Sequence, residues 1–343
     1  MKNKRDISFA TFNLYNFQLP GKRMRYNSTP YTDDEYTAKL FWTSSMLKKV
    51  DADVIAFQEL WSKQCLEDAF VHAGMNDDYT LHFIKDQWYN IAVAIAVRNS
   101  WTVLDKKIHK SFPDDFILRK RGGGANDDQD DDEVEVNIDR FSRSVMQLSI
   151  GHATDDSIKP VQVFAVHLKS KLGARLDQQE AANERIKPHR SNLGSALSTI
   201  RRTAEAAALR WMLTDMMKNS DEPVVVIGDI NDSTLSNTLS IITAQPRLRR
   251  AFDSRTGNRS DNGLYTAGLL QELRSLNGVY YSHVYNDVRE LIDHVLVSEQ
   301  FYDHSSNRVW SFNKMTVWSD HLEDDDKAST DHGVVKVAFD YRP

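Results

Sequence analysis

A chain of 343 residues with 41% hydrophobic and 27% charged side chains has ordinary globular composition, which excludes a wholly disordered protein. Lys and Arg number 43 against 49 Asp and Glu, and the formal charge of −6 argues against a globally basic nucleic-acid coat protein. The one cysteine, Cys65, excludes an intramolecular disulfide and a Cys-pair zinc site, and points to a reducing compartment. The N-terminus enters an alternating segment without the apolar run of about 7 to 15 residues that a secretory signal needs. No segment reaches the roughly 18 uninterrupted apolar residues of a membrane helix, so a soluble, cytoplasmic protein without membrane insertion is expected.

Residues 7–15 alternate as a strand, 34–50 carry Leu40, Leu47 and Val50 on one helical face, and 54–57 form a short buried strand. Further strands are expected at 79–84, 91–97, 101–108, 143–150 and 161–168. Several follow one another with no room for helices, which favours antiparallel pairing. Residues 174–218 read as helix broken at Pro188, with Ala204, Ala207, Ala208, Trp211 and Met212 at core-facing spacing. The most apolar strand, 224–227, follows, then strands at 291–297 and 334–339; the aromatic segment 310–318 reads as core or loop. Regions 118–138 and 253–263 read as surface insertions.

The charge is unevenly spread. Seven acids fall in 126–135 and five in 320–326, so the rest of the chain is net basic. The first run lacks the glycine and spaced glutamate of a calcium loop and reads as an acidic surface loop. Within 169–210, nine Lys and Arg face four acids, a pattern that suits either a phosphate-attracting stripe or a solvated helix face.

Polar residues interrupt the ends of the buried strands, where a carboxylate or imidazole needs a partner or a task. Singly each is ordinary: a strand-terminal Asp caps or turns, and a lone His is a hydrogen-bonded core group. The ordered set is Thr11-Phe12-Asn13, Gln58-Glu59, Val166-His167-Leu168-Lys169-Ser170, Gly228-Asp229-Ile230-Asn231-Asp232, Ile292-Asp293-His294 and Thr330-Asp331-His332. It resembles the endonuclease/exonuclease/phosphatase superfamily, which includes deoxyribonuclease I, sphingomyelinases and inositol-polyphosphate phosphatases, and within it the bacterial nuclease-like members. The resemblance implies an α/β fold: a four-layer sandwich of two packed, mostly antiparallel β-sheets with helices on both outer faces. It also implies that residues 1–343 form a single domain. The chain departs from deoxyribonuclease I in lacking a disulfide and in adding the basic helical segment 169–218 after His167.

By the same resemblance Glu59 is the first metal ligand, with Asn13 and Asp331 close to the same ion or its waters. The catalytic set is His167, Asp229, Asn231, Asp293 and His332, and Arg143, Lys169 and Ser170 contact a substrate phosphate. The chemistry is consistent with these types. Hard oxygen ligands without cysteine favour Mg²⁺ or Mn²⁺. Asp229 can handle a proton while Asn231 donates without repelling a phosphate. His332 would activate water or stabilise the pentacovalent phosphate and needs a carboxylate to fix its tautomer, which in the resemblance is Asp293; His167 suits protonation of the leaving oxygen, and which histidine is acid and which is base stays open. His294, next to Asp293 on a strand, points to the opposite face and is structural.

The expected activity is divalent-metal-dependent phosphodiester hydrolysis by in-line attack of water, with DNA, and also RNA, as substrate and partner. The alternatives are a lipid-headgroup or inositol-phosphate phosphodiesterase or phosphatase of the same fold, and a non-catalytic binding module. The complete set of acids and histidines argues against the last. No exposed apolar-aromatic hairpin of the sphingomyelinase kind is apparent, and a monomer is the default.

Overall fold

The computed structural model describes residues 4–25, 28–84, 91–120, 133–246, 262–275, 280–285, 287–324 and 326–343. The acidic run from Asp127 to Asp132, Asp325 and most of the 253–263 insertion lie outside these residues. The first half of the chain forms β1 (Ile7–Phe17), α1 (Asp33–Val50), β2 (Val54–Leu60), α2 (Lys63–Ala73), β3 (Tyr79–Phe83), β4 (Ala92–Arg98), β5 (Trp101–Ser111), β6 (Arg119–Lys120), β7 (Val134–Glu135), β8 (Arg140–His152) and β9 (Val161–His167). The second half forms α3 (Gln178–Ala182), α4 (Arg190–Met217), β10 (Val224–Asp229), α5 (Asn237–Thr243), β11 (Tyr265–Thr266), α6 (Ala267–Arg274), β12 (His283–Tyr285), β13 (Val288–Glu290), β14 (Asp293–Val297), β15 (Trp310–Trp318) and β16 (Val334–Tyr341). No helix among the described residues is long and apolar enough to cross a membrane.

Two six-stranded sheets run in the orders β15-β16-β1-β2-β4-β3 and β11-β14-β10-β9-β8-β5. Each holds one parallel central pair, β1 with β2 and β9 with β10, while the remaining pairs are antiparallel. The sheets face each other across a core that includes Phe9, Val54, Val163, Val225 and Val337. α1 and α2 cover the outer face of the first sheet over Phe12, Ile55 and Phe57. α4 and α5 cover the second over Phe164, Val166, Val224 and Val226. The result is the expected four-layer α/β sandwich.

Two expectations need correction. Residues 310–318, read as core or loop, are not loop: they form the edge strand β15, paired along β16 with a bulge between Phe312 and Lys314, and put Trp310, Phe312 and Met315 into the core. The bulge breaks the alternation that would have marked a strand. The buried face of α4 centres on Glu205, Leu209, Leu213 and Met217, and leaves Trp211 and Met212 partly exposed. A carboxylate in the middle of that face hides the stripe from a hydrophobic count. The break at Pro188 is present as a short 3-10 turn between α3 and α4.

Strand alternation decides what lies between the sheets. On β1, Ile7 and Phe9 enter the central core and Ala10, Phe12 and Leu14 the outer one, so Asn13 falls in the inward row. The inward residues of β9 are Val161, Val163 and Ala165, of β10 Val225 and Ile227, and of β14 Val295 and Val297. His167, Asp229 and Asp293 extend these same rows. One end of the central core is therefore built of polar groups that the two sheets aim at each other.

Candidate catalytic centre between the sheets

Strand register lines up three of the polar groups. Asp229 pairs with His167 across the parallel ladder and with Asp293 across the antiparallel one. All three are buried. His167 Nε2 lies 3.5 Å from Asp229 Oδ2, and Asn13 Nδ2 crosses from the other sheet to donate to the same oxygen at 3.3 Å. The second oxygen of Asp229 accepts the Asn231 N–H at 2.7 Å, and Asn231 Nδ2 donates to Leu168 O. Asn231 holds the left-handed conformation at φ +58 that this tight return requires. Gly228, at φ +147, precedes Asp229 where a Cβ would stand 2.0 Å from Val166 O, so no other residue fits.

His332, just before β16, closes the group from the first sheet. Its Nδ1 donates to Asp293 Oδ2 at 2.7 Å, and its Nε2 lies 4.0 Å from Asp229 Oδ2. Asp293 Oδ2 also accepts from Ser282 Oγ at 2.7 Å, and that hydroxyl takes the N–H groups of Ile292 and Asp293. Thr330 Oγ1 donates to Asn13 O at 2.8 Å and accepts from His332 N at 3.2 Å, tying the two ends of the chain together.

Burial and neighbouring charge separate the protonation states. Burial acts to lower His332, but Asp293, Asp229 and Asp331 hold it well above the usual histidine range. His167 is pushed well below it by burial, then by the positive Arg143 and His332. Asp229 is raised to about 7 by burial and by Asp293, against the pull of His332 and the Asn231 N–H. The centre thus pairs a cationic imidazole with a neutral one on either side of a carboxyl poised near neutrality.

Glu59 stands on a strained double bulge. Between the Asn13–Gln58 and Phe17–Leu60 pairs, β1 carries three residues against one on β2. Tyr15, Asn16 and Glu59 all have positive φ there. Alternation would send Glu59 to the outer face; the bulge re-aims it. Asn16 N donates to Glu59 Oε2 at 3.1 Å, and Tyr15 N to Asn13 Oδ1 at 3.0 Å. Burial and Asp331 raise the Glu59 carboxyl, while His332 and Arg143 act against them. Lys39 of α1 is buried behind the bulge, over the Tyr15 and Phe17 rings, and donates to Ser329 O at 2.9 Å. Burial lowers it to about 8, against Asp331, Glu59 and Asp326.

Among the described residues, two groups could hold an ion: Asp229, Asp293 and His332, and His283, Asp331 and His332. Glu59 belongs to neither. Asp293 Oδ1 is buried without a hydrogen-bond partner among the described residues. A surplus of acceptor oxygens, no thiol and two mutually repelling carboxylates at Glu59 and Asp331 fit a hard divalent cation.

The phosphate-binding candidates are held beside His167. Arg143 Nη1 donates to Leu168 O at 3.0 Å, which leaves further N–H donors on its guanidinium. Lys169 folds back to Ser170 Oγ, Ser170 O and Leu172 O. Buried Glu205 accepts both Ser142 N and Lys169 N, at 2.7 and 2.8 Å, and so fixes the neighbours of Arg143 and His167. Much of the basic stripe has internal partners. Arg202 reaches Asp232 and Lys169 O, Arg201 reaches Ser142 and Glu205, and Arg210 reaches Ile242 O and Asn262 O. His294 is buried on the far face against Asp232 O, as expected. Ser282, His283, Thr330, Lys39 and Glu205 were not foreseen. They act on the expected residues through space, and short-range pattern carries no mark of that.

The profile of the Endonuclease/Exonuclease/phosphatase family matches residues 10–332. No curated protein matches the sequence. Among solved structures, the fold is similar to an endonuclease/exonuclease/phosphatase family protein from Bacteroides thetaiotaomicron at TM-score 0.56 and 12% identity, covering 98% of each chain. It is similar to the Bacteroides thetaiotaomicron mannosyl-6-phosphatase Bt3783 at 0.55 and 14%, covering 98% of this chain and 100% of that one. It is also similar to D. rerio TDP2 complexed with single strand DNA product at 0.55 and 12%, covering 98% and 99%. With a four-layer sandwich fold and a family match that spans nearly its whole length, the chain belongs to the endonuclease/exonuclease/phosphatase family.

Proposed function

We propose that the protein is a divalent-metal-dependent phosphodiester hydrolase acting on DNA, and also RNA. The observation that carries this reading is the buried row His167–Asp229–Asp293, closed by His332 and Asn13, with its three distinct protonation states. Asp229 takes one proton of a water as its oxygen bonds to phosphorus, the P–O bond to the leaving group breaks on the opposite side, and the departing oxygen takes up a proton from solvent. His167, neutral, directs Nε2 at Asp229 and orients it. His332, cationic and fixed by Asp293, donates to a phosphoryl oxygen on the same side, because its Nε2 is only 4.0 Å from the base. This role for His167 replaces protonation of the leaving oxygen, since both imidazoles converge on Asp229. Arg143 supplies a planar donor to a second phosphoryl oxygen. A hard divalent cation held by Glu59, with Asn13 and Asp331 near it, supplies positive charge to the phosphate and the leaving oxygen when bound.

A polymeric substrate is supported by the exposed cations Arg175, Arg185, Lys187 and Arg190 on the segment that leaves His167. The similarity to a mannosyl-6-phosphatase makes a small phosphomonoester the rival. Purified protein with Mg²⁺ or Mn²⁺ is expected to cleave single-stranded DNA, plasmid or RNA. Intact nucleic acid alongside phosphate release from sugar or inositol phosphates would overturn the nuclease reading.

A further inference from the structure

The hairpin β12–β13 is fastened to the catalytic centre at its base. His283 pairs with His332 in an isolated bridge, and their rings lie 5.1 Å apart. Its register sets His283 opposite Glu290 and Tyr285 opposite Val288, so alternation puts these four side chains on one face. Glu290 binds Lys171 Nζ at 2.8 Å, and Lys171 lies on the loop that continues β9 past His167. That face therefore looks into the opening between His332 and the Lys171 loop. Its outer pair, Tyr285 and Val288, is 67% and 57% exposed.

Two further apolar side chains stand on loops leaving the same centre: Leu172 beyond His167, 73% exposed, and Leu235 beyond Asn231, 94% exposed. Single exposed apolar residues are ordinary. Here Tyr285 and Val288 sit on a hairpin tied to His332 through His283 and to the cation Lys171 through Glu290, while Leu172 and Leu235 stand on the loops that continue from His167 and Asn231. Apolar and aromatic groups next to phosphate-attracting cations are what unpaired nucleotides bind: the backbone meets the charges and a base meets the ring. The hairpin is also an exposed aromatic-tipped element of a kind that the amino-acid pattern had not revealed.

We propose that Tyr285, paired with Val288 across the hairpin, is a stacking platform for an unpaired base next to the scissile phosphate, so that single-stranded nucleic acid is preferred to duplex. Tyr285 is two positions along the strand from His283, about 7 Å, which sets the ring beside the reacting phosphate and not on it. A base in a duplex reaches the platform only after unstacking, which disfavours the duplex. The inference rests on the nuclease reading and names the form of substrate that reading prefers.

The test uses the full chain with Mn²⁺ on three oligonucleotides of equal length: a single strand, the same strand in duplex, and a strand with base-free tetrahydrofuran residues around one phosphate. Wild type is expected to show its lowest KM on the base-bearing single strand. Tyr285→Ala is expected to raise that KM about 5- to 150-fold, the equivalent of one base–aromatic stack, while Tyr285→Phe keeps it. Turnover of the base-free strand stays unchanged in both, which also reports that the variants are folded. Equal KM for base-bearing and base-free strands in wild type overturns the platform, as does a Tyr285→Ala loss shared by both. If nucleic acid is cleaved normally by Tyr285→Ala but binding to phosphatidylcholine vesicles is lost, the rim contacts lipid and only the platform falls. If wild type cleaves no nucleic acid, the nuclease reading fails and the platform with it.

Discussion

Asp293→Asn removes one charge from the centre and almost no volume. Asp293 is fully buried, and its Oδ2 accepts both the His332 Nδ1–H and the Ser282 hydroxyl at 2.7 Å. An amide keeps an acceptor oxygen but no longer balances the imidazolium. Breaking a buried ion pair costs about 3–5 kcal/mol, and because the freed imidazole can discharge, the loss should sit near the lower figure, about 3 kcal/mol. The sign with pH follows from His332 lying above its ordinary value. A raised histidine contributes stability that is fully present below the unfolded value of about 6.5 and is lost as pH rises through the folded one. The gap between wild type and variant should therefore be widest near about pH 6 and narrow toward about pH 10. Turnover should fall by at least about 100-fold, because the histidine loses both its charge and its fixed tautomer. Urea denaturation in EDTA at the two pH values, with turnover at neutral pH, measures both. An equal loss of stability at both pH values, or unchanged turnover, would refute the charge-pair reasoning.

Asp229, raised to about 7, contributes stability that is lost as pH rises through that value, so Asp229→Asn should be inactive yet more stable than wild type at pH 8 without metal. The gain is up to about 4 kcal/mol at 1.36 kcal/mol per pH unit, and a lower urea midpoint for the variant would contradict it. Gly228→Ala places a Cβ 2.0 Å from Val166 O and should cost more than about 3 kcal/mol, read as a large drop in melting temperature; a wild-type melt would show that the strand can yield. Glu59→Gln should weaken Mn²⁺ binding at least about tenfold by calorimetry, with an unchanged far-UV spectrum. Equal affinity would move the ion to the His283, Asp331 and His332 group.

The strands and the polar ends of their apolar rows were legible because both follow from strand period, while the layered fold and the roles of those polar residues came from the family resemblance. An apolar row that ends in Asn13, His167, Asp229 or Asp293 shows in the sequence both the strand and the polar end of the core. What was illegible acts across the fold. The bulge that turns Glu59 inward depends on two neighbouring strands having unequal lengths between pairs. Ser282 and Thr330 matter only through the side chains and backbone they touch in the finished site. The basic stripe of 169–210 is only in part a surface, since Arg202 and Arg210 are spent on Asp232 and on loop carbonyls while Arg175, Arg185, Lys187 and Arg190 stay exposed. Glu205 was hidden for the opposite reason: on α4 it looks like a solvated acid, yet it is fully buried and clamps the backbone at Ser142 and Lys169, beside Arg143 and His167.

The central claim is that one buried cluster hydrolyses phosphodiesters with the help of a divalent cation. The most direct measurement is the cleavage rate of a single-stranded oligonucleotide by wild type in Mn²⁺ and in EDTA, beside Asp229→Ala and His332→Ala in Mn²⁺. The account predicts cleavage by wild type only with the metal, and at least about a 100-fold loss in each variant. Cleavage that persists in EDTA, or that survives either substitution at the wild-type rate, would contradict it.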